Sequence, residues 1–177
     1  MTSALSFDAV TKLCNVNNDN FRQPSDREAG VEYIRTHSGE TLLAILISVR
    51  QRPHGLNFIT EDESVHQIGI MNWAKGHLID AHIHNPLPRT IDSTQEVLFI
   101  RSGTVRVDLY TENQSYECSR TLEAGDVIFL ASGGHGFEIL RDANIVEVKQ
   151  GPYLGEHEKT RFIPRDNPHW REKNGEE

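Results

Sequence analysis

The sequence predicts an all-β protein, a sandwich or barrel built from short strands in a single domain. A chain of 177 residues suits one domain and is long enough to bury a sizeable core. From Glu40 onward, short runs rich in Val, Ile, Leu, Phe and Tyr are separated by Gly, Asn and Pro. No long amphipathic helix pattern follows residue 14. Many short strands at such spacing are typical of sandwiches and barrels.

The elements divide the chain into three parts. Residues 1–39 form a predicted N-terminal arm, in which Leu5–Leu13 fits a short helix and the Asn-rich stretch 15–20 favours turns. Residues 40–163 form the predicted barrel, and residues 164–177 a flexible C-terminal tail. The predicted strands of the barrel are 41–50, 66–73, 77–84, 96–101, 104–111, 115–122, 127–131, 136–140 and 144–150. Hairpin turns are predicted at 101–103 and 123–126.

Composition and charge exclude several classes of protein. The net charge of −8, from 26 acidic and 18 basic residues, repels phosphate backbones, so nucleic acid is not an expected partner. No apolar run approaches the ~20 residues of a membrane span, and the N-terminus lacks the order of a signal peptide. The two cysteines, Cys14 and Cys118, are too few for a disulfide framework. We therefore expect reduced cysteines and a cytoplasmic protein.

The segment DAHIHN, residues 80–85, carries the first candidate site. In a strand, His82 and His84 point to the same face, with origins ~7 Å apart. Both imidazoles can therefore bind one metal ion at ~2.1 Å. The alternative for a lone His-x-His is a pair of ordinary surface or core histidines.

Two further residues fit the same site. Glu96 heads the apolar face of strand 96–101, and His135 shares a strand face with Phe137 and Ile139. An isolated buried carboxylate is costly, so Glu96 needs a partner. Three imidazoles and one carboxylate suit a divalent transition metal (Fe, Mn, Ni, Co or Zn) with positions left open for water or substrate. Each residue also has an ordinary interpretation, Glu96 as a solvated strand end and His135 as a loop histidine.

Two stretches resemble the paired motifs of the cupin superfamily. GHLIDAHIHNPLPRTIDSTQEVLFIRSG is similar to the first motif, which consists of Gly, five residues, His-x-His, a gap, Glu, six residues and Gly. The matching positions are Gly76, His82, His84, Glu96 and Gly103. GDVIFLASGGHGF is similar to the second motif, with matches at Gly125, Gly133 and His135. The resemblance covers roughly residues 65–150.

The resemblance implies a double-stranded β-helix, or jelly-roll barrel, with His82, His84, Glu96 and His135 as ligands of one divalent metal ion. It also implies a homodimer, because cupins are commonly dimers. A second subunit would cover the apolar side chains on the opposite face of strand 77–84.

The chain departs from the cupin pattern in two places. Eleven residues separate His84 from Glu96, where the family usually has three or four, and Ala131 stands where the family has Pro. In the inserted loop, Asn85 is a candidate second-shell partner of a ligating imidazole or a cap of the turn before proline. Arg89 is a candidate for bidentate contact with a substrate carboxylate or phosphate, or an exposed loop arginine.

Three functions fit these residues. The first is a metal-dependent enzyme acting on a carbohydrate or a small keto or hydroxy acid. The second is a non-catalytic module that binds a sugar or acid, and the third is a metal-free sugar-nucleotide epimerase or isomerase. Residues 147–162 are similar to the end of small cupin metalloproteins associated with bacterial surface-polysaccharide synthesis. No residue is assigned a catalytic role.

Overall fold

A computed structural model describes the backbone of residues 9–13 and the full residues 30–49 and 52–175. Within these residues the elements are β1 (Ala9–Leu13), β2 (Val31–Arg35), β3 (Leu42–Ile47), β4 (Gly55–Phe58), β5 (Gly69–Asn72), β6 (Glu96–Tyr110), β7 (Tyr116–Glu123), β8 (Val127–Leu130), β9 (Gly134–Lys149), a 3-10 helix (Gly155–Glu158) and α1 (Pro168–Asn174).

Seven of the strands form one curled sheet. Its order is β1-β2-β3-β8-β6-β7, with β9 paired to the other edge of β6, and every pair except β1–β2 is antiparallel. The hairpin β4–β5 packs against one face of this sheet, where Tyr33 donates a 2.6 Å hydrogen bond to the Ile59 carbonyl. The prediction of an all-β protein is confirmed.

The longest strands, β6 and β9, bend together. The first half of β6 pairs with β8, the second half pairs with β7, and β9 runs along both halves with register shifts between residues 100 and 105. Gly103 has a φ of 91°, and a Cβ there would lie 2.2 Å from the Asp142 carbonyl oxygen of β9. Only glycine permits this close approach. The predicted hairpin turn at 101–103 is therefore wrong: the runs 96–101 and 104–111 belong to one bent strand.

The bend turns the two halves of the sheet towards each other. Leu98 and Ile100 from the first half of β6 lie in the same buried cluster as Val105, Val107 and Leu109 from the second half. Burial of this shared apolar surface stabilises the curl, because each half removes the other from water.

One side of the curled sheet is closed by polar contacts between β2 and β7. Arg120 Nε lies 3.0 Å from Glu32 Oε1, and the His37 backbone N–H donates a 2.8 Å hydrogen bond to Glu117. The opposite side ends at β9, which pairs with β6 and with no other strand in the described residues. The sheet is thus a half-barrel with one closed side and one open side.

The N-terminal part differs from the predicted arm. Within predicted arm 1–39, β2 contributes Val31 and Ile34 to the core. Residues 9–13, predicted as helix, form a strand parallel to β2, while 1–8 and the Asn-rich stretch lie outside the described residues. The β-branched residues Val10 and Thr11 favour an extended backbone. The backbone hydrogen bonds of this strand come from pairing with β2, which the local sequence could not predict.

The C-terminal segment, predicted as a flexible tail, carries α1 and docks on the sheet. Asn167 caps α1 by accepting a 2.9 Å hydrogen bond from the His169 backbone N–H. Its side-chain amide donates a 2.7 Å hydrogen bond to the Tyr110 hydroxyl, and Asn167 is buried. Burial raises the pKa of Tyr110 to about 12.

Cys118 on β7 is buried and disulfide-bonded, so the expectation of reduced cysteines is wrong at this position. Cys14 lies outside the described residues. Among the helices of the described residues, none has the length and apolar character needed to cross a membrane.

Candidate functional site

The bend brings Glu96 and His135 together. In the ladder, Glu96 lies opposite Lys149 and His135 lies opposite Leu109, so the two residues are far apart along the strands. Because the halves of the sheet face each other, His135 Nε2 nevertheless lies 3.2 Å from Glu96 Oε2. Glu96 is only 7% exposed. A carboxylate and an imidazole from opposite ends of the ladder thus meet across the open side of the half-barrel.

The surroundings favour the ionised form of Glu96. The hydrogen bond with His135, together with the charges of Lys159 and Lys149, holds the pKa of Glu96 below its usual value. Lys149 is engaged by Glu158, 3.2 Å away, and by Glu147, 3.8 Å away. Lys159 makes no side-chain hydrogen bond or ion pair within the described residues. Lys159 nevertheless lies within electrostatic range of Glu96, and of Glu156 and Glu158 as well.

Sequence reasoning missed a polar network beside Glu96. The Gln95 backbone N–H donates a 2.9 Å hydrogen bond to the Gln150 side chain, and Gln150 Nε2 lies 2.9 Å from His66 Nδ1. His66 also lies 3.2 Å from Gln95 Oε1 and packs edge-on against Phe129. This network fixes the start of β6 and the end of β9, and so the position of Glu96. The sequence does not predict this network, because Gln95 and Gln150 belong to no pattern or motif.

An apolar wall lies next to the pair on β9. Phe137 and Ile139 share the strand face of His135, and both are exposed although the residues opposite them on β6, Val107 and Val105, are fully buried. The concave surface of the half-barrel is therefore open to solvent along β9. A small molecule or a further segment of protein has access to the pair from this side.

His82 and His84 lie in a different environment. Residues 73–95, which connect β5 to β6, contain no strand, so the prediction of a strand over 77–84 is wrong. Every residue from Trp73 to Thr94 is exposed, including Asn85 and Arg89. We call residues 73–95 the connecting loop.

The contacts of the connecting loop are local. The His77 ring stacks on Trp73 at 3.9 Å, and the His82 and His84 rings lie 5.2 Å apart. His82 Nδ1 lies 2.8 Å from the Asp80 carbonyl oxygen. Among the described residues, those from 78 to 94 make no hydrogen bond or ion pair with the sheet.

The structure thus brings two of the four candidate ligands together, Glu96 and His135, and places the other two side by side in the connecting loop. No group of three or more His, Cys, Asp or Glu side chains able to hold a metal ion occurs within the described ranges. Glu96 and His135 are the correct chemical types for a transition metal, but two donors make half of the predicted set.

Comparisons with protein-family models, with curated proteins and with solved structures each give no match to this chain. The assignment of the candidate site therefore depends on the positions and chemistry of Glu96, His135 and the residues around them.

Proposed function

We propose that this protein is a metal-binding, jelly-roll barrel of the cupin type, in which Glu96 and His135 bind a divalent transition metal together with His82 and His84. The observation that carries the proposal is the Glu96–His135 pair. Glu96 is nearly buried, and His135 is its only hydrogen-bonding partner in the described residues. A buried carboxylate with an oxygen left unpaired is costly unless another cation or donor completes the site.

The protonation state supports the same role. Metal ligands must be deprotonated, and the contact with His135 and the charges of Lys159 and Lys149 lower the pKa of Glu96 and so favour its deprotonated form. The imidazole Nε2 of His135 lies 3.2 Å from Glu96 Oε2, close enough for both atoms to bind one ion. These residues fit a hard-to-borderline divalent ion such as Mn, Fe, Co, Ni or Zn.

The connecting loop would supply the remaining ligands if residues 77–84 paired with the edge of β9 that no strand in the described residues occupies. With His82 or His84 opposite His135, alternation puts both histidines on the face of His135, and strand spacing of about 4.8 Å lets the three imidazoles converge. Ile79 and Ile83 lie on the other face of the added strand. This pairing would also satisfy the backbone groups along the free edge of β9.

A bound divalent ion supplies Lewis-acid polarisation of a carbonyl or activation of water. The residues around it favour an acidic small molecule as the ligand, since the charge of Lys159 acts on Glu96 and Arg89 lies on the connecting loop. Phe137 and Ile139 offer apolar contact beside it. We therefore propose a small keto or hydroxy acid, or an acidic sugar, as the substrate of a metal-dependent enzyme.

Metal content tests the proposal directly. Protein purified without an affinity tag is stripped with a chelator and dialysed against Mn, Fe, Co, Ni or Zn, and bound metal is measured by mass spectrometry. We expect about one ion per chain in the wild type and at least tenfold weaker binding in Glu96→Gln, His135→Ala and His84→Ala.

Matched controls are Glu147→Gln, on the strand face of Lys149, and His157→Ala, in the 3-10 helix; both should bind as the wild type does. Stoichiometric binding that survives Glu96→Gln and His135→Ala would refute the site. Binding without turnover of any acid in a broad screen would favour the non-catalytic module over the enzyme.

A further inference from the structure

The connecting loop exposes apolar side chains, and one edge of β9 has backbone groups that no strand in the described residues pairs with. Leu78 is 85% exposed and Ile83 is 88% exposed in the loop, and Leu87 is also exposed. On β9, Phe137 and Ile139 are exposed on the concave face. Soluble proteins rarely leave such apolar segments in water unless another surface covers them.

The two surfaces match in chemistry. The loop contains HLIDAHIH, in which apolar and polar residues alternate with the period of a strand from Ile79 to His84, and β9 presents a backbone edge that no strand in the described residues pairs with. An extended segment that adds to a free sheet edge gains backbone hydrogen bonds and places alternate side chains in register.

In the single chain the two surfaces are exposed at the same time. The loop is tethered at both ends, to β5 at Asn72 and to β6 at Glu96, and from residue 78 to residue 94 it makes no hydrogen bond or ion pair to its own sheet within the described residues. An extended chain covers about 3.3 Å per residue, so the middle of the loop can extend roughly 30 Å from its anchors. That reach is enough to contact a neighbouring molecule.

We propose that the occupant of the β9 edge is residues 77–84 of a second copy of this chain, so that each metal site combines Glu96 and His135 of one copy with His82 and His84 of the other. A two-fold axis satisfies both loops and both edges at once and closes the assembly as a dimer. This inference rests on the proposed function, because it assigns the missing ligands of the same site to the partner.

This exchange of residues 77–84 between the two copies also determines which side chains meet across the new strand pair. If residues 77–84 add antiparallel to β9 with a histidine opposite His135, alternation places Ile79 on the face of Leu140, directly opposite it or one diagonal step away. Both side chains are exposed in the single chain.

Complementation between two defective variants tests the exchange. One variant carries His82→Ala and His84→Ala, and the other carries Glu96→Gln and His135→Ala. The two are co-expressed with different tags, and the mixed dimer is isolated through both tags before tag removal and loading with Zn or Mn. Exchange predicts that the mixed dimer regains about half the wild-type metal content per chain, since one of its two sites is intact. Sites formed within one chain predict no recovery.

A cross-link provides a readout that does not involve metal. Ile79→Cys combined with Leu140→Cys should give a covalent dimer on a non-reducing gel after mild oxidation, and the wild type should not. A covalently closed monomer of increased mobility, or a monomeric wild type by light scattering, would overturn the exchange.

The two proposals fail in different ways. Wild-type protein that binds no metal but forms the covalent dimer contradicts the metal site and supports the exchange. Wild-type protein that binds one ion per chain as a monomer supports the metal site and contradicts the exchange.

Discussion

Two carboxylates on the same strand, Glu96 and Asp108, are equally buried at 7% exposure and have opposite surroundings. Asp108 accepts hydrogen bonds from Arg106 at 2.8 and 3.0 Å and from the Ser119 hydroxyl at 2.6 Å. Glu96 has one polar partner in the described residues, His135 at 3.2 Å. Within the described residues, the Asp108 carboxylate accepts three side-chain hydrogen bonds, whereas the Glu96 carboxylate has one side-chain partner at hydrogen-bond distance.

The network around Asp108 extends to the C-terminal helix. Arg106 lies 2.9 Å from Glu138 on β9, and Glu138 lies 3.1 Å from Lys173 of α1. Every charge in this group has an opposite charge beside it, which is how buried ions are tolerated. Asp108 is therefore a structural carboxylate, whereas Glu96 keeps hydrogen-bonding capacity that the described residues do not use.

Removing the satisfied carboxylate should have the largest effect. Asp108→Ala leaves Arg106 buried with its bidentate partner missing, and we expect a loss of about 3–5 kcal/mol in the free energy of unfolding. Urea titration followed by circular dichroism measures it. The exposed carboxylate of Asp92 is the control, and Asp92→Ala should change stability by less than about 0.5 kcal/mol. If Asp108→Ala lowers the free energy of unfolding no more than Asp92→Ala does, Asp108 does not stabilise the fold and does not differ from Glu96 in this respect.

The docking of α1 should depend on Asn167. Asn167→Ala loses the helix cap and the hydrogen bond to Tyr110, and we expect a loss of about 1–2 kcal/mol. Urea unfolding followed by fluorescence in a Trp73→Phe background, which leaves Trp170 as the single tryptophan of the sequence, reports the helix. Asn174→Ala, at the exposed end of the same helix, is the matched control and should cost much less. Equal effects of the two substitutions would mean that the buried hydrogen bond contributes nothing.

Replacing the Glu96 carboxylate should change the free energy of unfolding little. In metal-free protein, Glu96→Gln replaces the carboxylate beside His135 with a neutral amide of similar shape, and we expect a change in the free energy of unfolding within about 1 kcal/mol of wild type. Thermal unfolding with and without metal measures the contrast with Asp108→Ala. A loss as large as that of Asp108→Ala would make Glu96 a structural residue.

The smallest effect should appear in acid. The hydrogen bond from Lys173, with the charge of Arg106, lowers the pKa of Glu138 below its ordinary value of 4.5. The stability that Glu138 contributes is therefore present above pH 4.5 and is lost as pH falls through the lower pKa of the folded state. Because the pair with Lys173 is partly exposed, we expect about 0.2–1 kcal/mol.

Unfolding curves at pH values from 6 to 2.5 measure how the free energy of unfolding falls in acid. In Glu138→Gln this fall should be smaller than in the wild type. Glu172→Gln, which changes an exposed glutamate of α1, should show the same fall as the wild type. Identical curves for the wild type and Glu138→Gln would show that the contact with α1 does not couple to pH.

Much of the β architecture could be predicted from local patterns. The predicted runs 41–50, 66–73, 115–122 and 127–131 each overlap one strand of the structure, namely β3, β5, β7 and β8, and the turn before Asp126 forms with Gly125 at a φ of 92°. The bend at Gly103 could not be predicted, because a glycine between two strand patterns is equally typical of a turn. Only the pairing of β9 with both halves of β6 separates the two possibilities.

The connecting loop shows the opposite case. Its alternation predicts a strand at 77–84, and the segment instead lies exposed, since a strand needs a neighbouring edge as well as a suitable sequence. Conversely, β2 forms a strand because β1 and β3 pair with it in the sheet, although it fell in the predicted arm. β4 forms a strand because β5 pairs with it in the separate hairpin, although its own pattern was weak.

By itself the sequence determined the β-class of the fold, the strand faces that carry Glu96 and His135, and the pairing of His82 with His84 on one stretch of chain. The tertiary structure alone decided which of these residues meet. Strand faces follow from local alternation, which is written in neighbouring residues, whereas the 3.2 Å approach of Glu96 to His135 depends on a bend that long-range pairing and shared burial impose.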